Sequence, residues 1–233
     1  MPALCNTLNM KYLGLKENWI YSLLLFSVLS AVIALKTSEF FYKSGSAGIG
    51  ILILLILNFK KAKQPNDSWM IIGAFLFSIA GDWFMSNKLG DNIMFSKGIA
   101  LFFLAHLGYL GFALGNGKIK WRFTLLILIA YLLFFFLWLY PSIEDKILLY
   151  AALVYLLISC LTFGTSAGIK GDNTFRRAYI FGIFLIVFSD TIIALTEFLG
   201  YGTLDFLILP TYYLAHISIS FSLIRREKQE IIT

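Results

Sequence analysis

The sequence predicts an all-α fold: a polytopic transmembrane helical bundle of about eight spans, with both termini cytoplasmic. Three observations carry that expectation. Of 233 residues, 59% are hydrophobic and only 14% charged, and the mean hydropathy is +0.82. A soluble domain of this size has no core large enough to hide so much apolar surface, so most of it faces lipid. Long apolar runs with few charges recur along the chain, and lysine and arginine are spread unevenly among the loops between them.

A hydrocarbon layer about 30 Å thick needs roughly 20 helical residues at about 1.5 Å each. The first run, 19–35, follows Lys11 and Lys16 and so imitates a signal peptide. Its length and the lack of a convincing A-x-A site read instead as a retained span. The second, 44–59, is short and opens on the glycine-rich GSAGIG. The third, 68–86, carries Asp82, and the fourth, 93–115, carries Lys97 and His106. The fifth, 121–139, is rich in phenylalanine, and the sixth, 146–164, contains Cys160. Asp190 and Glu197 lie on the seventh, 175–197, and His216 on the eighth, 204–224. Loops are short and no linker composition appears, so residues 1–233 read as one integral membrane domain. Cys5 and Cys160 are too far apart in sequence to imply a disulfide framework.

Orientation follows the basic residues, which accumulate in cytoplasmic loops. The N-terminal segment, the 59–67, 116–122 and 165–177 regions and the tail hold most of them, against Lys36, Lys43, Lys88 and Lys146 on the other side. Trp19, Trp69, Trp121 and Trp138 near span ends fit interfacial anchoring. The net charge of +6 reads as this topological signal plus attraction to anionic headgroups. No nucleic-acid module is visible.

Ionisable residues inside hydrocarbon are expensive and are functional-site hypotheses by default. Here they form two acid-and-histidine pairs in sequence, Asp82 with His106 and Asp190 with His216, the histidines ending the similar strings FFLAH and YYLAH. The separation of the two aspartates nearly equals that of the two histidines and covers four spans. An even number of spans preserves orientation, so a parallel 4+4 repeat about the membrane normal would account for it. At the usual helical rise, Asp82 lies about 6 Å and Asp190 about 10 Å from the non-cytoplasmic ends of their spans. The histidines fall nearer the midplane. Ser78 shares a face with Asp82, and Glu197 with Asp190, so a polar cavity open toward the non-cytoplasmic leaflet is the economical arrangement.

Phe77, Ser78, Gly81 and Asp82 form an FSxxGD string; Phe95, Gly98, Phe102, His106 and Tyr109 follow on the fourth span; Ser189, Asp190 and Ala194 form SDxxxA; and Tyr212, Tyr213, Ala215 and His216 close the series. In this order the motifs resemble the YhhN-like family of integral membrane proteins, which includes the lysoplasmalogenases. The resemblance covers roughly residues 20–224. It departs at His216, where the family pattern has glutamine, and at Ser44, where proline is expected after Tyr42 and Lys43. The resemblance implies a membrane hydrolase that cleaves the vinyl ether bond of a lysoplasmalogen to a fatty aldehyde and glycerophosphocholine or glycerophosphoethanolamine.

Vinyl ether hydrolysis begins with protonation of an alkene carbon and passes through an oxocarbenium ion that water traps. It needs an acid and a base, as glycosidases supply with paired carboxylates. Burial disfavours the charged form of a carboxyl, so one aspartate would be neutral while a better hydrogen-bonded one stays ionised. Asp82 and Asp190 are the expected pair, with the acid and base roles left open. His106 and His216 would orient an aspartate or relay protons, or else hydrogen-bond neighbouring helices. Lys43 would hold a lipid phosphate, or be a solvated lysine, and Lys97 would do the same or snorkel. Tyr109, Tyr212 and Tyr213 would line the substrate cavity, or pack with a satisfied hydroxyl.

Two Asp and two His are chemically competent for zinc, but no spacing is a compact ligand motif, so neither metal nor cofactor is expected. The expected partners are a lysolipid substrate and membrane lipids, and the expected location is the plasma membrane. Two rival readings use the same residues: a proton-coupled transporter with an Asp/His relay, and a non-catalytic lipid-binding protein whose polar groups only connect helices.

Overall fold

The computed structural model describes residues 19–37, 39–60 and 67–232. Lys11, Lys16, Cys5 and the lysines of the 61–66 segment lie outside these residues, so the expectations placed on them have no structural counterpart. Among the described residues the architecture is all-α, apart from one isolated bridge between Gly117 and Ile169. The long helices are α1 (Trp19–Thr37), α2 (Gly45–Lys60), α3 (Ser68–Ser86), α4 (Asn92–Gly115), α5 (Trp121–Phe134), α6 (Lys146–Ser166), α7 (Asn173–Leu199) and α8 (Ile208–Ile232). Seven segments are long and apolar enough to cross a membrane, and α2 supplies a shorter apolar helix. The chain is thus a multi-pass integral membrane protein.

Helix boundaries follow local chemistry. Asp91, Asp145 and Asp172 accept hydrogen bonds from the first free amides of α4, α6 and α7, which are otherwise unsatisfied at a helix start. α7 ends at Gly200, whose φ of 66° is the left-handed conformation that glycine adopts without a side-chain penalty. α5 does not stop at Phe134: it widens into a π-helical turn, Phe135–Leu139, and finishes with Tyr140–Ser142. The eighth expected span begins with a 3-10 turn, Gly202–Leu207, before α8 proper.

α3 packs along α4, and α7 along α8, as two extensive helix pairs. Small residues permit the first of these. A Cβ on Gly108 would stand 2.5 Å from the Met70 carbonyl oxygen, and one on Gly81 would stand 2.8 Å from the Phe102 ring. Close backbone approach over glycine is the usual means of helix association in lipid. Three other contacts recur with a shift of four helices: α1 with α2 as α5 with α6, α2 with α3 as α6 with α7, and α4 with α6 as α8 with α2, whereas the packing of α1 on α8 has no comparable counterpart between α4 and α5. That recurrence is what a parallel 4+4 arrangement requires. α1 and α5 are the least buried long segments, so they form the periphery.

The loops expected to share the basic side do meet at one end of the bundle. Arg226 donates from Nη1 to both carboxylate oxygens of Asp67, at 3.0 and 2.9 Å. Asn116 donates to the same carboxylate at 2.5 Å. The bridge between Gly117 and Ile169 adds the α4–α5 and α6–α7 connections. A core of Ile53, Leu54, Phe75, Phe112, Tyr179 and Ile183 occupies the neighbouring half of the bundle. The opposite end, where α3 and α7 finish, is where polar residues enter the interior.

Candidate functional site

α3 and α7 bring Asp82 and Asp190 to one cavity of about 200 Å³, lined also by Lys43, Lys88, Glu197 and Tyr212. The expectation that both aspartates share a cavity is therefore realised in their placement. Lys43 reaches it from the short helical turn Phe40–Lys43 that precedes α2. Ser44 closes that turn: its backbone amide donates to the Phe40 carbonyl at 2.9 Å, and its hydroxyl lies 3.1 and 3.0 Å from the Phe40 and Phe41 carbonyls. A serine is thus accommodated where proline was expected. Lys88 and Glu197 form an ion pair along the cavity lining, joining the end of α3 to the last turn of α7.

The two carboxyl groups have different surroundings. Asp190 Oδ2 accepts a hydrogen bond from the Tyr155 hydroxyl at 2.7 Å and lies 3.3 Å from His106 Nε2. That ring nitrogen also lies 3.1 Å from the Tyr155 oxygen and 3.3 Å from Ser159 Oγ. The Tyr155 proton is directed at Asp190, and Ser159 donates to the Tyr155 carbonyl at 2.8 Å. All three neighbours of Nε2 therefore present oxygen lone pairs to it, and Nδ1 has no hydrogen-bond partner. This network assigns the proton to Nε2. Asp190 is consequently served by two donors. Asp82 Oδ2, by contrast, is buried without a hydrogen bond at normal distance; the Tyr212 hydroxyl is a weak hydrogen-bonding neighbour of the carboxyl group, and Lys43 and Asp190 act on it electrostatically.

These contacts show which aspartate, if either, each histidine reaches, a point the sequence left open. His106 bonds Asp190, not Asp82, because α4 packs against α6 and its His106 face meets the α6–α7 side of the bundle. His216 is fully buried and reaches neither aspartate by a hydrogen bond. Its Nδ1 lies 3.4 Å from Ser46 Oγ, and its ring packs edgewise on Phe75 and Tyr212.

The remaining candidates separate in the same way. Tyr212 and Tyr213 line the cavity. Tyr109 lies outside that lining, with its hydroxyl 3.5 Å from Ser78 Oγ and its carbonyl accepting from Tyr179 at 2.9 Å. Lys97 is exposed and lies over the Phe84 ring, outside the cavity. Among the described residues no three His, Cys, Asp or Glu side chains converge in a metal-ligand group.

Sequence reasoning missed Tyr155, Ser159 and Lys88. Tyr155, Ser159 and Thr162 follow one another at helical spacing on α6, a polar stripe in an otherwise apolar span. That stripe was a readable sign of an inward polar face. Lys88 carried no local signal, since a basic residue in a loop reads as topology.

No curated protein and no solved structure shows significant similarity to the chain. The ordered strings around Asp82, His106, Asp190 and Tyr212 do have a family counterpart. The YhhN family model matches residues 42–223, from the turn that carries Lys43 to the middle of α8. With most of the chain and every residue that lines the polar cavity inside that match, the protein belongs to the YhhN family.

Proposed function

We propose that this YhhN-family protein is a membrane hydrolase that cleaves the vinyl ether bond of lysoplasmalogens, with Asp82 as the acid and Asp190 as the base. The observation that carries the assignment is the difference between the two carboxyl groups in one cavity. A buried carboxylate oxygen with no donor at normal hydrogen-bonding distance is costly as an anion, so Asp82 serves as the neutral proton donor. Asp190, with Tyr155 and His106 donating to it, serves as the carboxylate, since hydrogen bonds to the charged form favour it.

The reaction then balances on these two groups. Asp82 gives its proton to the alkene carbon remote from the ether oxygen, leaving an oxocarbenium ion. The Asp190 carboxylate faces the developing positive charge and stabilises it. Water adds to the cationic carbon as Asp190 takes its proton, giving a hemiacetal. Collapse returns the hemiacetal hydroxyl proton to Asp82, while Asp190 protonates the departing glycerol oxygen. The products are a fatty aldehyde and the glycerophospho-alcohol, and both aspartates regain their starting states.

Lys43 is assigned to the phosphate as a point charge at the cavity wall. The positive-inside pattern supports a cytoplasmic Asp67–Arg226 end and a cavity open toward the other leaflet of the plasma membrane. The decisive experiment supplies purified protein in detergent with choline and ethanolamine lysoplasmalogens beside ordinary lysophospholipids. Aldehyde release by the wild type, reduced about 10²- to 10⁴-fold in Asp82→Asn and Asp190→Asn, supports the reading. Ester cleavage without aldehyde, or activity only in sealed energised vesicles, overturns it.

A further inference from the structure

Asp190 borders a second cavity, a half-open apolar one of about 80 Å³ lined by α4, α5, α6 and α7 with Met85 of α3. It shares Asp190, Met85, Phe102 and Ile193 with the polar cavity, so the two meet at the carboxylate along a common wall. Its polar lining atoms are already engaged. Thr191 Oγ1 donates to the Val187 carbonyl at 2.7 Å, which makes the Tyr131 hydroxyl, 2.8 Å away, the donor to Thr191. Tyr155 donates to Asp190, and Ser159 to the Tyr155 carbonyl. Beyond Asp190 the cavity therefore offers hydrocarbon and aromatic surface to an occupant.

The cavity is elongated along the helices. The Tyr131–Thr191 bond fixes its level beside Asp190, whereas Leu139 on the π-helical turn of α5 and Phe198 on α7 lie two helical turns further, about 11 Å at the usual rise. At that far end the Phe95 and Phe198 rings meet edgewise, 5.8 Å between centroids. Phe134 and Leu139 flank and end the π-helical turn and line the same space, and π-turns within helices recur at functional sites.

We infer that this apolar cavity seats a single aliphatic chain of a lipid whose headgroup occupies the Lys43 cavity, and that the Phe95–Phe198 contact limits the length of that chain. The inference rests on the hydrolase reading only for which bond lies at Asp190. One polar and one apolar cavity meeting at one wall fit a lipid with one chain. Phe198 is thereby a specificity-determining residue.

The test uses a lysolipid with a saturated ether chain, which has no vinyl ether to hydrolyse, bearing a diazirine near the methyl end. Photolysis with the purified full chain should label Phe95, Leu156 or Phe198, and excess unlabelled lysolipid should abolish the labelling. Labelling confined to outward residues such as Phe136 and Trp138, or unaffected by competitor, overturns the inference. In parallel, Phe198→Ala should raise the ratio of kcat/KM for long over short alkenyl chains about tenfold, and Ala152→Phe should lower it by a similar factor. Ratios unchanged in both variants overturn the length limit. Aldehyde release with labelling outside the cavity would sink the chain seat alone. Competed labelling inside it without aldehyde release would support the seat and sink the hydrolase reading.

Discussion

His106 Nε2 lies 3.3 Å from Asp190 Oδ2, with the Tyr155 hydroxyl bonded to the same carboxylate oxygen. This contact ties α4, α6 and α7 together at the wall common to the two cavities, and it sets the residues on which activity should depend.

Tyr155 is a positioning residue that acts through Asp190. A hydrogen bond to a charged group contributes about 1.5–3 kcal/mol, so Tyr155→Phe should lower kcat about 10- to 100-fold if Asp190 works as a carboxylate. KM should change little, because the phenol faces Asp190 and not the Lys43 side of the polar cavity. A parallel loss in KM, or full activity, would remove Tyr155 from that role.

The two histidines should behave differently despite their matching sequence contexts. His106→Gln places a shorter amide where the imidazole bridged Asp190 and Ser159, so aldehyde release should fall at least about tenfold. His216→Gln substitutes the residue of the family pattern at a position whose observed hydrogen-bonding neighbour is Ser46. It should keep most of its activity. Steady-state assays of the two variants decide the matter, and equal losses would contradict the assignment.

The α3–α4 crossing should tolerate no side chain at its tightest point. In Gly108→Ala the new methyl group would meet the Met70 carbonyl oxygen at 2.5 Å and Ala74 Cβ at 3.0 Å. Overpacking of this kind costs about 1–3 kcal/mol, which a lower melting temperature in detergent would register. An unchanged melting temperature would mean that the helices separate without strain.

At the other end, Arg226→Met removes both hydrogen bonds to Asp67 while retaining much of the side-chain volume. The pair is partly exposed, so the expected loss is modest, about 1 kcal/mol or less after solvent screening. Asp67 keeps Asn116 as a donor. Thermal stability should fall slightly while kcat on a lysoplasmalogen stays as in the wild type, since this cluster lies far from both cavities.

The sequence was most legible where lipid imposes a single solution. Each apolar run became a helix, seven of them within three residues of their expected limits and α8 running eight residues past its own, because backbone amides in hydrocarbon have no partner outside a helix or closed barrel. The convergence of Asp82 and Asp190 was also legible, since buried carboxyls gather around shared polar space. Which acid meets which histidine was not. That depends on helix neighbours, and α4 faces α6 through contacts distant in sequence. Tyr155 went unread because a single tyrosine in a span more often packs than acts, although the Ser159 and Thr162 that follow it on α6 marked the same face.

The π-helical turn of α5 ties the apolar cavity to the length of the chain. Such a turn holds one residue more than the α-helical winding it interrupts, and here it spans Phe135–Leu139. Each residue of an α-helix advances the rotation by about 100°. Deleting one residue in this stretch would restore regular winding and swing the preceding and following faces relative to one another, parting Phe134 from Leu139. The wall of the apolar cavity is thus encoded by chain length as much as by side-chain identity, and homologues lacking that residue should present a different surface to the same space.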